Sequence, residues 1–131
     1  MIERITSNFR RVKALAPQWD MIISDKVYYL MVVEDGKDMG VMVFHTCNEP
    51  GLLMHVELGH DCRGAKAAAA YKAAFKWVFD NTDYETLHGR IPDTTRHARV
   101  MARHVGADFI GVDCDGLVCY NITKHDERRI A

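Results

Sequence analysis

The chain has 131 residues, 48% of them hydrophobic and 27% charged, with a formal net charge of -1. That length and composition predict one globular domain over 1–131 with a sizeable core. The near-zero charge excludes a general pull toward nucleic acid or an anionic membrane surface, and no apolar run approaches the roughly 18 residues of a membrane span. The start, MIERITSNFRR, lacks a signal peptide's apolar centre, so the expected location is the cytoplasm. The four cysteines, Cys47, Cys62, Cys114 and Cys119, contain no CxxC pair and fit no common zinc spacing. They read as reduced, mostly buried thiols, and no metal site is expected.

In chain order, RITSNFRRVKALA (residues 4–16) reads as a first helix, capped by Ser7 or Asn8 and stopped by Pro17. Phe9, Val12, Leu15 and Ala16 share its apolar face, and Arg10, Arg11 and Lys13 read as solvated. Residues 18–26 read as a loop or a short second helix. VYYLMVVE (27–34) predicts a strand, Asp35-Gly36 a hairpin turn, and MGVMVFHT (39–46) the return strand. LLMHVEL (52–58) predicts a third strand. It puts Leu52, Met54, Val56 and Leu58 on one face and Leu53, His55 and Glu57 on the other.

An Ala-rich pattern then predicts a helix over 64–81, with Ala67, Ala70, Tyr71, Ala74 and Val78 in one stripe widened by Phe75 and Phe79. ETLHGRI (85–91) reads as a fourth strand ended by Pro92. Asp93 or Thr94 caps a helix over 95–105, with Ala98, Met101, Ala102 and Val105 as its buried face and Gly106 after its end. Residues 107–113 and 117–123 read as a final strand pair, followed by a charged tail from about 124 expected to fray. The order gives an α+β fold with one strand–helix–strand crossover.

Chemistry concentrates between His55 and Phe79. A strand, a turn with Arg63 and Gly64, and a helix start are where proteins hold phosphates, because free backbone N–H groups and the positive end of the helix dipole converge there. Arg63 and Lys66 add charge to that turn. On the third strand Glu57 and His55 share a face. Glu57 is either a general base or a solvated carboxylate, and His55 a base, an orienting group or a structural histidine, with His45 on the neighbouring strand. Tyr120 is a proton donor or a core residue. Arg96, Arg99 and Arg103 read as a solvated helix face, too few to argue nucleic-acid binding.

Two motifs carry a resemblance. Arg63-Gly64-Ala65-Lys66-Ala67-Ala68 resembles a pyrophosphate loop of the form (Gln/Arg)-x-x-Gly-x-(Gly/Ala), and TRHARVMARHVGADF (95–109) resembles an Asn-x-x-Ala helix followed by a Gly-Phe strand. Both are similar to the GNAT superfamily, the Gcn5-related N-acetyltransferases. His55 standing eight positions before Arg63, and WVFDNT at 77–82, resemble the short members encoded by phages and prophages. The resemblance implies a GNAT-like fold, a mixed but mostly antiparallel sheet of about six strands with helices on both faces. It also implies acetyl-CoA as co-substrate, held in the cleft between the third and fourth strands by Leu58, Arg63, Gly64, Ala65, Lys66, Ala67, Ala68, Thr95 and Ala98.

The implied reaction is transfer of the acetyl group to a primary amine by direct attack on the thioester. Glu57 or His55 would take the proton, and Tyr120 would serve as donor to the leaving thiolate. An unidentified amine acceptor, a homodimer, and no nucleic-acid or membrane partner complete the expectation. Three positions depart from the family pattern: Lys66 stands at the loop's first Gly, Thr95 at an Asn, and Ala102 at a Tyr that donates to the thiolate. The other class of reading is therefore a GNAT-fold phage protein of weak or no activity, with an assembly or host-interaction role.

Overall fold

In the computed structural model, which describes residues 1–124, the run VYYLMVVE forms strand β2 (Val27–Glu34). Its poor alternation has a plain cause, because both faces are covered. Leu30 and Val32 join a core with Ala74, Phe75, Val78 and Phe79 of helix α2 (Ala65–Asn81), while Tyr29 and Met31 join a second core with Val12 of helix α1 (Arg10–Leu15). A strand buried on both sides is apolar throughout. Helices therefore flank both faces of the sheet, as expected.

Strand β3 (Lys37–Thr46) returns through Asp35 and Gly36, whose φ values of 51° and 75° are those of a type I′ hairpin turn. Strand β4 (Leu52–Leu58) continues the meander, with Leu52, Met54, Val56 and Leu58 on the α2 side as the alternation predicts. After α2 come β5 (Thr86–Pro92), α3 (Arg96–His104), β6 (Asp108–Val112) and β7 (Leu117–Thr123). The sheet has seven strands in the order β1-β2-β3-β4-β5-β7-β6, with β4–β5 its one parallel pair.

The seventh strand, β1 (Ile2–Ile5), falls where the sequence suggests the start of a helix. It pairs antiparallel with β2, from Ile2↔Val32 to Ile5↔Tyr29. A four-residue strand carries almost no periodicity of its own, and the edge of β2 supplies its conformation. Asn8, at φ 54°, turns the chain into α1, so neither Ser7 nor Asn8 caps that helix, whose N-cap is Phe9. The segment 18–26 is loop.

Arg11 is a further correction. It is not solvated but forks between two carboxylates, donating to Asp38 at 2.7 and 3.0 Å and to Glu3 at 2.7 and 3.2 Å. These bonds tie α1 to β3 and β1 and hold the Asp38 and Glu3 carboxyls below their usual range. Of the four cysteines, all free, only Cys62 is buried; Cys114 is exposed in the β6–β7 turn. The tail from 125 onward lies outside the described residues.

Candidate functional site

The parallel pairing of β4 with β5 is brief. Only Leu52↔Leu87 and Leu53↔His88 are in register. Beyond them β4 stays with β3 as far as Leu58, while β5 stays with β7 through Pro92. Each strand has a full partner on its outer side, so the two separate and leave a V-shaped opening between them.

The vertex is locked. His88, buried among polar partners, donates from Nε2 to the Pro50 carbonyl at 2.6 Å and places Nδ1 2.7 Å from Asn121 Oδ1. Gly51 sits beside it with φ 107°, and a Cβ there would lie 2.3 Å from the Thr86 carbonyl oxygen. No motif in the sequence marks His88, Asn121 or Gly51 as structural. Their roles come from the strand divergence.

A cavity of about 280 Å³ fills the V. Met54, His55 and Val56 form one wall and Gly89, Arg90 and Ile91 the other. Tyr71 and Phe75 of α2 lie at its back, and Thr95, Ala98, Met101 and Ala102 of α3 cover it. Tyr120 of β7 completes the lining, its ring edge-on to that of Phe109 with centroids 6.0 Å apart. Burial raises the Tyr71 hydroxyl above its ordinary pKa, so it stays protonated. The expected burial of Ala98, Met101 and Ala102 is corrected here. No residue of α3 is fully buried, because the apolar face that the sequence assigns to the core fronts this cavity instead. Val105, just past the helix, does reach the core.

Near the start of α2, Gly64 is the N-cap residue, with φ 58° and ψ -127°, and its absent Cβ faces open space. The backbone there needs glycine for conformation rather than for room. Gly64 and Ala65 share a concave surface with Arg96, His97 and His104 of α3. Thus the N-cap and first residue of α2 and three basic side chains line one groove. Lys66, one residue into the helix, pairs with Glu34 at 3.1 Å, and its own N–H bonds the Arg63 carbonyl at 3.2 Å. Arg63 is exposed; Ala67 and Ala68 point into the core, and Leu58 packs against it. Arg99, expected to be solvated, is half-buried and bonds both the carbonyl and the carboxylate of Asp93 at 3.2 Å.

A second cavity, of about 570 Å³, lies over the outward face of β2–β4. The loop after α1 roofs it with Trp19, Asp20, Ile22 and Lys26, and its floor includes Tyr29, Val43 and His45. His55 and Trp19 line both cavities, so they stand in the wall between them. Glu57 is two residues along β4 and accepts from Gln18 Nε2 at 3.0 Å. It is in the wall of neither cavity. The structure thus brings His55, Tyr120, Thr95 and Ala98 together at the cleft, Gly64 and Ala65 at the groove, and keeps Glu57 apart from both. No group of three or more metal-ligating side chains occurs among the described residues, and no helix among them is long and apolar enough to cross a membrane.

Comparison with known proteins gives the fold a name. Spermidine/spermine N-acetyltransferase SpeG from Vibrio cholerae superposes with a TM-score of 0.81 at 9% identity, covering 98% of this chain and 97% of that one. N-acetyltransferase PseH from Campylobacter jejuni, in complex with acetyl coenzyme A, gives 0.67 at 14% identity over 88% and 77% of the two chains. Aminoglycoside acetyltransferase AAC(6')-Ib, in complex with coenzyme A, gives 0.67 at 11% identity over 80% and 70%. No curated protein matches the sequence. Residues 8–127 match the family described as "Protein of unknown function (DUF2824)". The chain belongs to that family, and its fold is that of the GNAT acetyltransferases.

Proposed function

We propose that the protein is an acetyl-CoA-dependent N-acetyltransferase that moves an acetyl group to a primary amine by direct attack on the thioester. One observation carries this reading: the V between β4 and β5 is roofed by an α3 whose apolar face is left half-exposed, and the opening lies beside the groove at Gly64. A long, mostly apolar ligand ending in a pyrophosphate suits that sequence of surfaces. The apolar arm would lie against Ala98, Met101 and Ala102, and the anionic end would meet the N–H groups of Gly64 and Ala65 and the side chains of Arg96, His97 and His104. Arg63 is the nearest added charge in sequence, and the exposed Lys66–Glu34 pair can open at little cost to release a second. Thr95 closes the cleft at the α3 N-terminus, and Leu58 ends the strand before the loop.

The acceptor amine would enter from the second cavity, whose lining includes Trp19 and Asp20. On the outward face of β4, His55 in the cavity wall would take its proton as the C–N bond forms, or Glu57, two residues along and in neither cavity wall, would do so through water. Tyr120, in the cleft wall, is the proposed donor to the departing thiolate in place of the Tyr that Ala102 replaces. Solvent can serve in its place, since a thiolate is a tolerable leaving group near neutral pH.

Calorimetry with acetyl-CoA tests the reading. Binding at micromolar ligand, with a thermal stabilisation that grows as the ligand exceeds Kd, is expected; a hundredfold excess corresponds to about 2.7 kcal/mol. No heat and no shift at millimolar ligand would contradict it. That outcome would favour the second reading, a GNAT-fold protein used for assembly or host interaction. One feature favours that reading: Phe109, Ile110 and Val112 on the edge strand β6 are each more than half exposed.

A further inference from the structure

His45 and His55 form a pair that neither the sequence motifs nor the fold requires. In register they are diagonal neighbours, since His45 opposes Leu53 and His55 opposes Val43 on the paired strands β3 and β4. Their Nε2 atoms are 3.0 Å apart while their ring centres are 5.1 Å apart, with planes 14° from parallel. The rings therefore meet at their nitrogens, as an N–H···N hydrogen bond requires.

The protonation of this pair follows from its neighbours. His45 Nδ1 lies 2.8 Å from the Thr46 carbonyl oxygen. A carbonyl only accepts, so Nδ1 of His45 carries the hydrogen and its Nε2 is the lone pair in the neutral ring. His55 must then donate from Nε2, which leaves the lone pair of neutral His55 on Nδ1. One backbone carbonyl thus fixes the tautomers of both rings.

We propose that this pair is the proton acceptor of the reaction, His55 Nδ1 taking the proton of the attacking nitrogen and His45 Nε2 holding the Nε2 hydrogen of His55 so that the Nδ1 lone pair is the one presented. The proposal rests on the acetyl-transfer reading of the cleft. His55 stands in the wall between the two cavities, where an amine from one side meets a thioester on the other. His45 opens only on the second cavity and acts through His55, as a positioning residue. The new C–N bond forms, the C–S bond breaks with its electron pair leaving on sulfur, and the nitrogen's proton moves to His55 Nδ1. Sulfur takes a proton from water, or from Tyr120, which water then reprotonates. His55 returns its own to water once the amide has left, so the resting tautomers are restored and no proton is gained or lost over the cycle.

Partial burial, and then the nearby His45, lower the His55 pKa below the ordinary histidine value. The ring is accordingly neutral, and able to accept, across the neutral range. Several other charged or titratable groups face it: Glu57 along β4, Asp20 and Lys26 from the loop over the second cavity, and Arg90, Tyr71 and Tyr120 across the cleft.

The test is a pH titration of the histidine ring nitrogens of the full chain by NMR, with and without saturating acetyl-CoA, in wild type and in His45→Gln. The expected resting state has hydrogens on His45 Nδ1 and His55 Nε2, with His55 titrating below pH about 6.5. In His45→Gln the His55 midpoint should move upward while acetyl-CoA affinity stays within about twofold. Thiol release from acetyl-CoA with 1,4-diaminobutane as the acceptor should follow the same midpoint in each protein. A His55 tautomer with hydrogen on Nδ1, or a His55 midpoint indifferent to His45→Gln, overturns the pair. Loss of thiol release on Glu57→Gln with no loss on His55→Gln overturns its catalytic role. If the titrations are coupled but acetyl-CoA does not bind, the pair stands as a hydrogen bond and the assignment falls with the acetyl-transfer reading.

Discussion

The two arms of the V are built differently. The β1–β4 arm is packed on both sides: Phe44, Leu30 and Met42 lie under α2, and Met31 and Val41 lie under Val12 of α1, all with essentially no exposure. The β5–β7 arm reaches the α2 core through Leu87 and Ile122, but α3 beside it has no fully buried residue, and its edge strand β6 exposes Phe109, Ile110 and Val112. An apolar helix face left half-wet lowers the stability of the free protein. It becomes an asset when a ligand completes the packing. One arm holds the fold, and the other keeps surface in reserve for what the cleft binds.

The largest effect should follow from cutting into the packed arm. Phe44→Ala removes a fully buried ring, and the expected loss is about 3–5 kcal/mol in denaturant unfolding. A loss near zero would mean that this arm is not the stabilising one. Next is the vertex. Gly51→Ala drives a methyl to 2.3 Å from the Thr86 carbonyl at a φ unfavourable to any Cβ, so roughly 1–3 kcal/mol should be lost. Unchanged stability would show that the vertex gives way easily.

Acid should also act first on the packed arm. Asp38 and Glu3 have lowered pKa values because Arg11 hydrogen-bonds them. The folded state therefore binds fewer protons there than the unfolded chain. Their contribution is complete above the ordinary carboxylate range of about pH 4 and is lost as pH falls through the lowered values. An Arg11→Met variant should show a flatter decline of stability with acid than wild type, and an equally steep decline would place the acid sensitivity elsewhere.

The smallest stability effect belongs to the other arm. Ala102→Trp adds bulk to a half-exposed position on the cleft, so the melting temperature should change by no more than about 4 °C. Acetyl-CoA affinity should nonetheless fall by at least about tenfold. A large loss of stability with unchanged affinity would reverse the contrast between the arms.

Much of this architecture was legible in the sequence, and the gaps are instructive. The meander, the hairpin at Asp35-Gly36, both major helices and the final strand pair follow from local pattern and turn chemistry. Strand β1 did not, because four residues borrow their conformation from β2. The face of α3 was legible, but not what it faces: an i, i+3, i+4, i+7 stripe looks the same against a core as against a ligand cleft. At the site, the turn at Gly64 and the placement of His55 could be read from motif and alternation. The Nε2 contact of His45 with His55 could not, since it depends on a diagonal register between strands. Nor could the engagement of Glu57 by Gln18, which comes from a loop 39 residues away.

The loosely packed arm is proposed as the binding surface for acetyl-CoA. Amide hydrogen exchange with and without that ligand tests it most directly, because it reads both arms in one experiment. Added protection is expected in residues 63–68, in α3 and along the facing edges of β4 and β5, with β1 to β3 unchanged. Equal exchange in both conditions, or protection confined to β1–β3, would contradict it.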